Sequence, residues 1–257
     1  MRRGFEMGIG AIIIGDEILR GKRDDQHFAK LIGILAVRGL KLDWCEYLGD
    51  EPGLITQTLQ RTLRSGDVVF SFGGIGATPD DHTRQCAAAA AGVGLALHPE
   101  AEAEIRGRFG VETTPQRLKM GEFPQGARII PNPYNRVPGF SLGDHHFVPG
   151  FPVMAWPMVE WVLDNRYQHL FHRTAEMEAS IIVYNLPEST VTPLMLEVEA
   201  RYRGLKSFSL PSMGEDGVRR HIELGVRGIP AEVPLAIEQM KAGVTALGGN
   251  WTEQGSS

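Results

Sequence analysis

The most constraining stretch of this sequence is Asp67-Val68-Val69-Phe70-Ser71-Phe72, which runs directly into Gly73-Gly74-Ile75-Gly76-Ala77-Thr78-Pro79. A short run of β-branched and aromatic residues reads as a strand buried on both faces, as strands in parallel sheets are. The glycines end it and open a turn that bulkier residues resist. Ile9 to Ile14 is a second run of this kind, and Leu40 to Leu48 reads as a third strand. Segments with helical spacing lie between them. Phe28, Leu31, Ile32 and Leu35 mark a helix over 24–38, closed by Gly39, and Leu54, Ile55, Leu59 and Leu63 mark another that ends near Gly66. Helices are also expected over 79–91 and 99–109. Strands alternating with helices of this length predict a three-layer α/β/α fold around a mostly parallel sheet, with right-handed crossovers.

Over 115–152 the chain becomes rich in proline, with strand-like pieces at 128–130 and 146–148. A helix over 152–170 follows, with Met154, Met158, Trp161, Val162 and Leu163 on one side. A second unit is expected from residue 173. It reads as a strand at 178–184, a helix at 189–203, strands at 205–210 and 219–226 flanking the turn 214–217, and a helix at 231–247. That order suits a small two-layer α+β domain. The domains expected are therefore 1–172 and 173–257, with Met195 and Leu196 in the second core and a disordered tail at 254–257.

The balance of 26 Lys and Arg against 31 Asp and Glu gives a net charge of −5, which argues against a broad nucleic-acid surface. Cys45 and Cys86 are the only cysteines and form no C-x-x-C, so they read as reduced thiols. The longest apolar run, Cys86 to Leu97, has 12 residues and two glycines, too short to span a bilayer. The run from Met7 to Gly15 meets Asp16 and Glu17 without a cleavage site, and so reads as a strand rather than a secretion signal. A cytoplasmic protein without membrane partners is the expectation.

In open α/β sheets, ligands sit at the carboxyl ends of strands. Gly73, Gly74 and Gly76 allow a close backbone approach there. Thr78 and the first helical amides offer donors to an anion, helped by the helix dipole. The ligand group this predicts is a phosphate, on a nucleotide or a pterin. Asp80 and Asp81 admit two readings. They repel a phosphate unless a divalent cation lies between, and Mg²⁺ is typically held by one or two carboxylates with substrate phosphates. Alternatively, one caps the helix and the other solvates its first turn. The segment is neither a Walker A loop nor G-x-G-x-x-G.

After the first strand, Gly15-Asp16-Glu17-Ile18-Leu19-Arg20-Gly21 leads through Lys22 and Arg23 to Asp24-Asp25-Gln26-His27. Asp16, Glu17 and Asp25 could supply acidic or metal-binding groups, and Lys22 or Arg23 could meet phosphate. The alternative is a polar surface loop with Asp24 as the helix cap. Val148-Pro149-Gly150-Phe151-Pro152 is a third strand, glycine turn and helix start. His145 and His146 lie in a strand where alternation puts one ring outward. Arg84 faces either the crevice or solvent.

Together these three segments resemble the molybdopterin-binding domain family, the fold of MoaB and MogA, and most nearly the N-terminal part of the CinA proteins. The family's G-[TD]-E-[LI]-L-x-G matches Gly15 to Gly21, with Asp25 and His27 at the later [DN]-x-[NH]. Its G-G-x-G-P-T-x-D-D-x-T matches Gly73 to Thr83, and its late P-G-x-P matches Pro149 to Pro152. The resemblance implies a phosphate-bearing ligand, molybdopterin or a nucleotide, held by Gly15, Asp16, Glu17, Gly73, Gly74, Gly76, Thr78, Pro149 and Gly150. It implies catalytic roles for Asp80, Asp81 and Asp25, with Asp80 and Asp81 binding Mg²⁺, Mn²⁺ or Co²⁺. Three activities follow from it: metal-dependent hydrolysis of ADP-ribose and related dinucleotide pyrophosphates, binding without turnover, or MogA-like adenylyl transfer. A dimer or trimer is implied as well. Phe72 stands where the family usually has Thr, Ala77 where it has Pro, Met154 where Glu is common and His27 where Asn is commoner. The lost hydroxyl and carboxylate are expected to change the ligand or weaken activity. The deamidase domain of full-length CinA proteins is not expected here, and the second unit resembles the α/β module that follows this domain.

Overall fold

A computed structural model describes residues 7–173, 177–213 and 220–253. The chain divides into two compact units, one reaching His172 and the other starting at Arg173.

In the first unit, β1 (Ile9–Ile14) leads through the single turn α1 (Asp16–Leu19) to α2 (His27–Ala36), β2 (Trp44–Leu48), α3 (Pro52–Thr62), β3 (Val68–Phe72) and α4 (Thr83–Ala91). Then come β4 (Leu95–Leu97), α5 (Pro99–Phe109), α6 (Pro115–Leu118), β5 (Glu122–Pro124), β6 (Arg128–Ile130), β7 (Gly139–Leu142), β8 (His145–Val148) and α7 (Pro152–Arg166). The main sheet has the order β2-β1-β3-β8-β7-β6. β2, β1, β3 and β8 run parallel, and β7 is antiparallel to both β8 and β6.

Helices cover both faces. Ile9, Ala11, Ile13, Phe70 and Phe72 point into a core closed by Leu31, Ile34 and Leu35 of α2 and Met158, Val159 and Val162 of α7. Ile12, Ile14 and Val69 point the other way, onto Ile55 and Leu59 of α3 and Cys86 and Ala87 of α4. Burying each large side chain contributes about 1.5–3 kcal/mol, so two filled layers hold the sheet between them. Local signals set the helix ends. The Glu51 carboxylate accepts from the amides of Gly53 and Leu54, with Pro52 at the first helical position of α3. Gly92, at φ 70°, stops α4.

Several expectations are corrected. Asp25, not Asp24, caps α2: its carboxylate accepts from the amides of His27 and Phe28, because the helix begins only at His27. α4 begins at Thr83 rather than Pro79, because the Thr83 amide is taken by the Gly74 carbonyl and the Asp81 amide closes a turn onto the Thr78 carbonyl. β4, β5 and β7 are short strands of three or four residues without a clear alternation. Neither His145 nor His146 faces outward, since helices cover both sides of β8. His145 meets the Thr62 hydroxyl at 3.0 Å, and His146 lies 2.8 Å from both Ser141 Oγ and the Tyr167 hydroxyl. Tyr167 donates onward to Asp144 at 2.7 Å. Cys86 is buried and Cys45 half-buried, both as free thiols. Among the described residues no helix is long and apolar enough to cross a membrane.

The second unit comprises β9 (Met177–Tyr184), α8 (Glu188–Arg201), β10 (Leu205–Ser212), β11 (His221–Gly228), α9 (Val233–Ala246) and β12 (Asn250–Glu253). Its antiparallel sheet has the order β10-β11-β9-β12. α8 and α9 pack on one face, with Val191, Val198, Met240 and Val244 against Ile181, Val183, Leu224 and Val226. Leu196 is 64% exposed, a correction, because Val191, Leu194 and Val198 occupy the inward stripe of α8. β12 is a further strand beyond the expected order. The expected turn 214–217 and the tail 254–257 lie outside the described residues.

Burial holds the His145 imidazole down to a pKa of about 4 and pushes His146 well below its ordinary value. The unfolded chain takes up protons at these sites near pH 6.5, whereas the folded chain does not. Stability is therefore full above that pH and falls as pH drops through the window toward 4, by on the order of 3 kcal/mol from His145 alone. Urea midpoints at pH 7.5 and 4.5 are expected to differ in that direction, and His145→Gln is expected to narrow the gap. An equal gap in both proteins would assign the acid loss to other groups.

Candidate functional site

The carboxyl ends of β1, β3 and β8 converge on Gly73. Its amide donates to the Val148 carbonyl at 3.0 Å. Its φ is +99°, and a Cβ there would lie 2.4 Å from the Ile14 carbonyl oxygen. A Cβ on Gly150 would lie 3.4 Å from the Gly73 Cα, so the two glycine turns pack against each other. Thr83 closes the turn into α4: its amide donates to the Gly74 carbonyl and its hydroxyl to the Gly73 carbonyl, both at 3.0 Å.

The carbonyls of Gly76 and Ala77 are tied down as well. Arg84 is buried, which excludes a solvent-facing role. Its guanidinium donates to the carbonyls of Gly76 (2.7 Å), Glu122 (3.2 Å) and Lys119. Gln116 donates to the Ala77 carbonyl at 2.6 Å. The amides of Gly74, Ile75, Gly76 and Ala77, by contrast, meet no acceptor among the described residues. The run is thus a peptide strip whose carbonyls, except that of Ile75, are held and whose N–H groups from Gly74 to Ala77 are open.

This strip lines a cleft of about 510 Å³. Among the residues singled out in the sequence, Gly15, Glu17, Gly73, Gly74, Gly76, Thr78, Asp80, Asp81, Pro149 and Gly150 border it. Phe109, Met120, Asn132, Asn135 and Met154 complete its wall. Asp50 borders it too and was missed in the sequence. It follows β2 as Asp16 follows β1, a signal that emerges only once the register pairs Ile14 with Leu48. The Asp50 carboxylate accepts from the Asp16 amide at 2.9 Å, and its own amide donates to Asp16 Oδ1 at 3.3 Å. Burial raises the pKa of Asp50, the hydrogen bond from the Asp16 amide offsets part of this, and the neighbouring carboxylates of Asp16, Glu17 and Asp80 raise it further.

Other expected groups are arranged differently. Asp16 does not border the cleft and pairs with Arg20 at 2.6 Å. Asp25 does not border it either; besides capping α2, it accepts from the Tyr47 hydroxyl at 2.8 Å. Asp81 turns back on the loop, accepting from the Thr78 amide at 2.8 Å and from the Thr78 hydroxyl. The Thr78 donors are thus held by a carboxylate of the chain itself. A cation shared by Asp80 and Asp81 does not fit this arrangement. Among the described residues no group of three or more His, Cys, Asp or Glu could hold a metal ion.

The residues that depart from the family pattern contact one another or the cleft. His27 stacks on Phe72 with ring centroids 4.5 Å apart and planes 24° apart. Its Nε2 donates to the Gly150 carbonyl at 3.1 Å, its Nδ1 has no partner, and burial lowers its pKa. Both rings border a smaller chamber of about 260 Å³, with Arg23 and Phe151 at its rim. Met154 accepts from the Asn135 side chain through sulfur at 3.2 Å.

Gly73→Ala is expected to destabilise the first unit by about 1–3 kcal/mol, because the new methyl meets a backbone oxygen at a φ that L-residues avoid. Calorimetry should show its transition lowered by several degrees. An unchanged transition would mean that the three strand ends are not held as described.

Residues 10–169 match the family described as a probable molybdopterin binding domain. A protein of Aeropyrum pernix is 30% identical over 95% of this chain and 96% of its own length. The CinA-like protein of Geobacter metallireducens is 31% identical over 77% of this chain, a match that spans 50% of that protein. The crystal structure of a CinA protein of unknown function from Thermoplasma acidophilum matches with a TM-score of 0.56 at 29% identity, over 61% of this chain and 97% of that one. With its three strand ends gathered at the glycine turn and this match across the whole first unit, the chain belongs to the molybdopterin-binding domain family and stands close to the CinA-like proteins.

Proposed function

We propose that this chain binds a phosphate-bearing small molecule, a nucleotide or a pterin such as molybdopterin, in the glycine cleft. The observation that supports this is the row of open amides from Gly74 to Ala77. Peptide N–H groups without an acceptor are costly, and a run of them makes a concavity suited to an anion. Arg23 borders the same cleft and forms no ion pair among the described residues, so its charge is available to the ligand. The family's name favours the pterin and the strand-end glycines suit either ligand. Self-association as a dimer or trimer belongs to the same reading, supported by the exposed apolar side chains of Phe28 and Ile32 on α2 and Val153 on α7.

A second reading, hydrolysis of a dinucleotide pyrophosphate such as ADP-ribose, is favoured by Asp50. A carboxylate of raised basicity beside a candidate phosphate site suits a general base that takes a proton from attacking water. The open amides would then stabilise charge developing on the phosphoryl oxygens.

Titration calorimetry with ADP-ribose, ATP and a pterin phosphate tests binding, and liquid chromatography of incubations with ADP-ribose, FAD, NAD and ATP tests turnover. Each incubation is run with Mg²⁺, Mn²⁺, Co²⁺ or a chelator. Binding is expected for at least one ligand. If hydrolysis operates, Asp50→Asn should cut AMP release by about a hundredfold or more and leave binding in place. No binding of any of these ligands by folded protein would overturn the first reading. Binding without product would overturn the second.

A further inference from the structure

We infer that Phe109 is the platform on which the planar heteroaromatic ring of the ligand stacks, an inference that rests on the phosphate-binding reading of the same cleft. Phe109 is the last residue of α5 and belongs to none of the three hydrophobic cores. It is only partly buried and borders the cleft that the open amides border. The ring is held in place. The Arg117 guanidinium lies over it at 4.2 Å from the centroid, and Arg108 sits at 5.9 Å. Arg117 is itself fixed, donating to the backbone carbonyl and the carboxylate of Glu112. Cation–π contacts of this kind stabilise an aromatic ring at a partly wet position.

The platform is also tied to the amide strip. Gln116, beside Arg117 on α6, donates to the Ala77 carbonyl, and Arg84 bridges the carbonyls of Gly76 and Lys119. The segment that carries Phe109 and Met120 is therefore anchored at two points to the residues whose amides are open. A rigid anion site and a rigid aromatic surface at a fixed separation select a ligand with a phosphate at one end and a flat ring at the other. Stacking accepts any such ring, since every base or pterin has a π face. The cleft volume lies within the usual range for small-molecule sites, roughly 300–1,000 Å³.

The test separates ring from phosphate. Binding of inorganic pyrophosphate, of AMP and of a pterin monophosphate is measured on the full chain and on Phe109→Ala, with circular dichroism to confirm folding. Phe109→Ala is expected to weaken the ring-bearing ligand by about tenfold or more and to leave pyrophosphate unchanged. Whichever of AMP and the pterin shows the larger loss names the ring. Phe109→Trp is expected to restore affinity, and its added indole fluorescence should be quenched by the ligand. Equal affinity of Phe109→Ala and the unaltered chain for both ring-bearing ligands overturns the platform while pyrophosphate binding leaves the anion site standing. Absence of binding of all three probes to the unaltered chain overturns the anion site and the platform with it.

Discussion

Three parallel strand ends can share a point only if the residue there has no side chain. Gly73 is that residue: the Ile14 carbonyl occupies the space a Cβ would need, Val148 accepts its amide, and Gly150 packs on its Cα. Everything that could act on a ligand is measured from this point. The first loop brings Gly15 and Glu17, the second Asp50, the third the amide strip, and the fourth Pro149 and Gly150. Loops at the carboxyl end of a doubly wound sheet ordinarily vary in position. Here the contact between two glycine turns holds two of them to main-chain tolerance.

That frame makes the strip of open amides stiff. Its carbonyls, except that of Ile75, are held by Thr83 and Arg84 of α4 and by Gln116 of α6, so the N–H groups keep their direction without a ligand. Pre-set dipoles need little reorganisation when charge arrives. Asp81 adds a local complication. Its carboxylate sits on the Thr78 amide and hydroxyl, where an external anion would otherwise bind. The amides from Gly74 to Ala77 are left without an acceptor, and the same carboxylate lies against Gly76.

The fold was legible wherever the pattern was local and strong. β1 and β3 are continuous apolar runs, and the glycines after them mark the turns. The short strands β4, β5 and β7 carry too few residues to show alternation. The inward histidines of β8 escaped notice because alternation presumes one wet face, and β8 has none. Asp50 becomes visible only through strand register. Asp25 has the same spacing whether it caps a helix or serves a ligand, and sequence cannot separate the two. The contact between Phe72 and His27 explains a pair of departures from the family pattern. It joins residues far apart in the chain, so neither change announced the other.

The order in which the chain reaches its final form follows from the β7–β8 hairpin. Leu142 pairs with His145 across only Gly143 and Asp144, so this hairpin is a local structure that closes in microseconds. Its docking on β3 joins Val69 to His145 across a long intervening stretch of the first unit, and closing a loop of that length costs more entropy than closing the hairpin. Gly150 travels with β8, so it arrives at Gly73 in that step. The cleft is therefore complete only once the hairpin has docked, and capture of the proposed ligand would report that docking rather than early collapse.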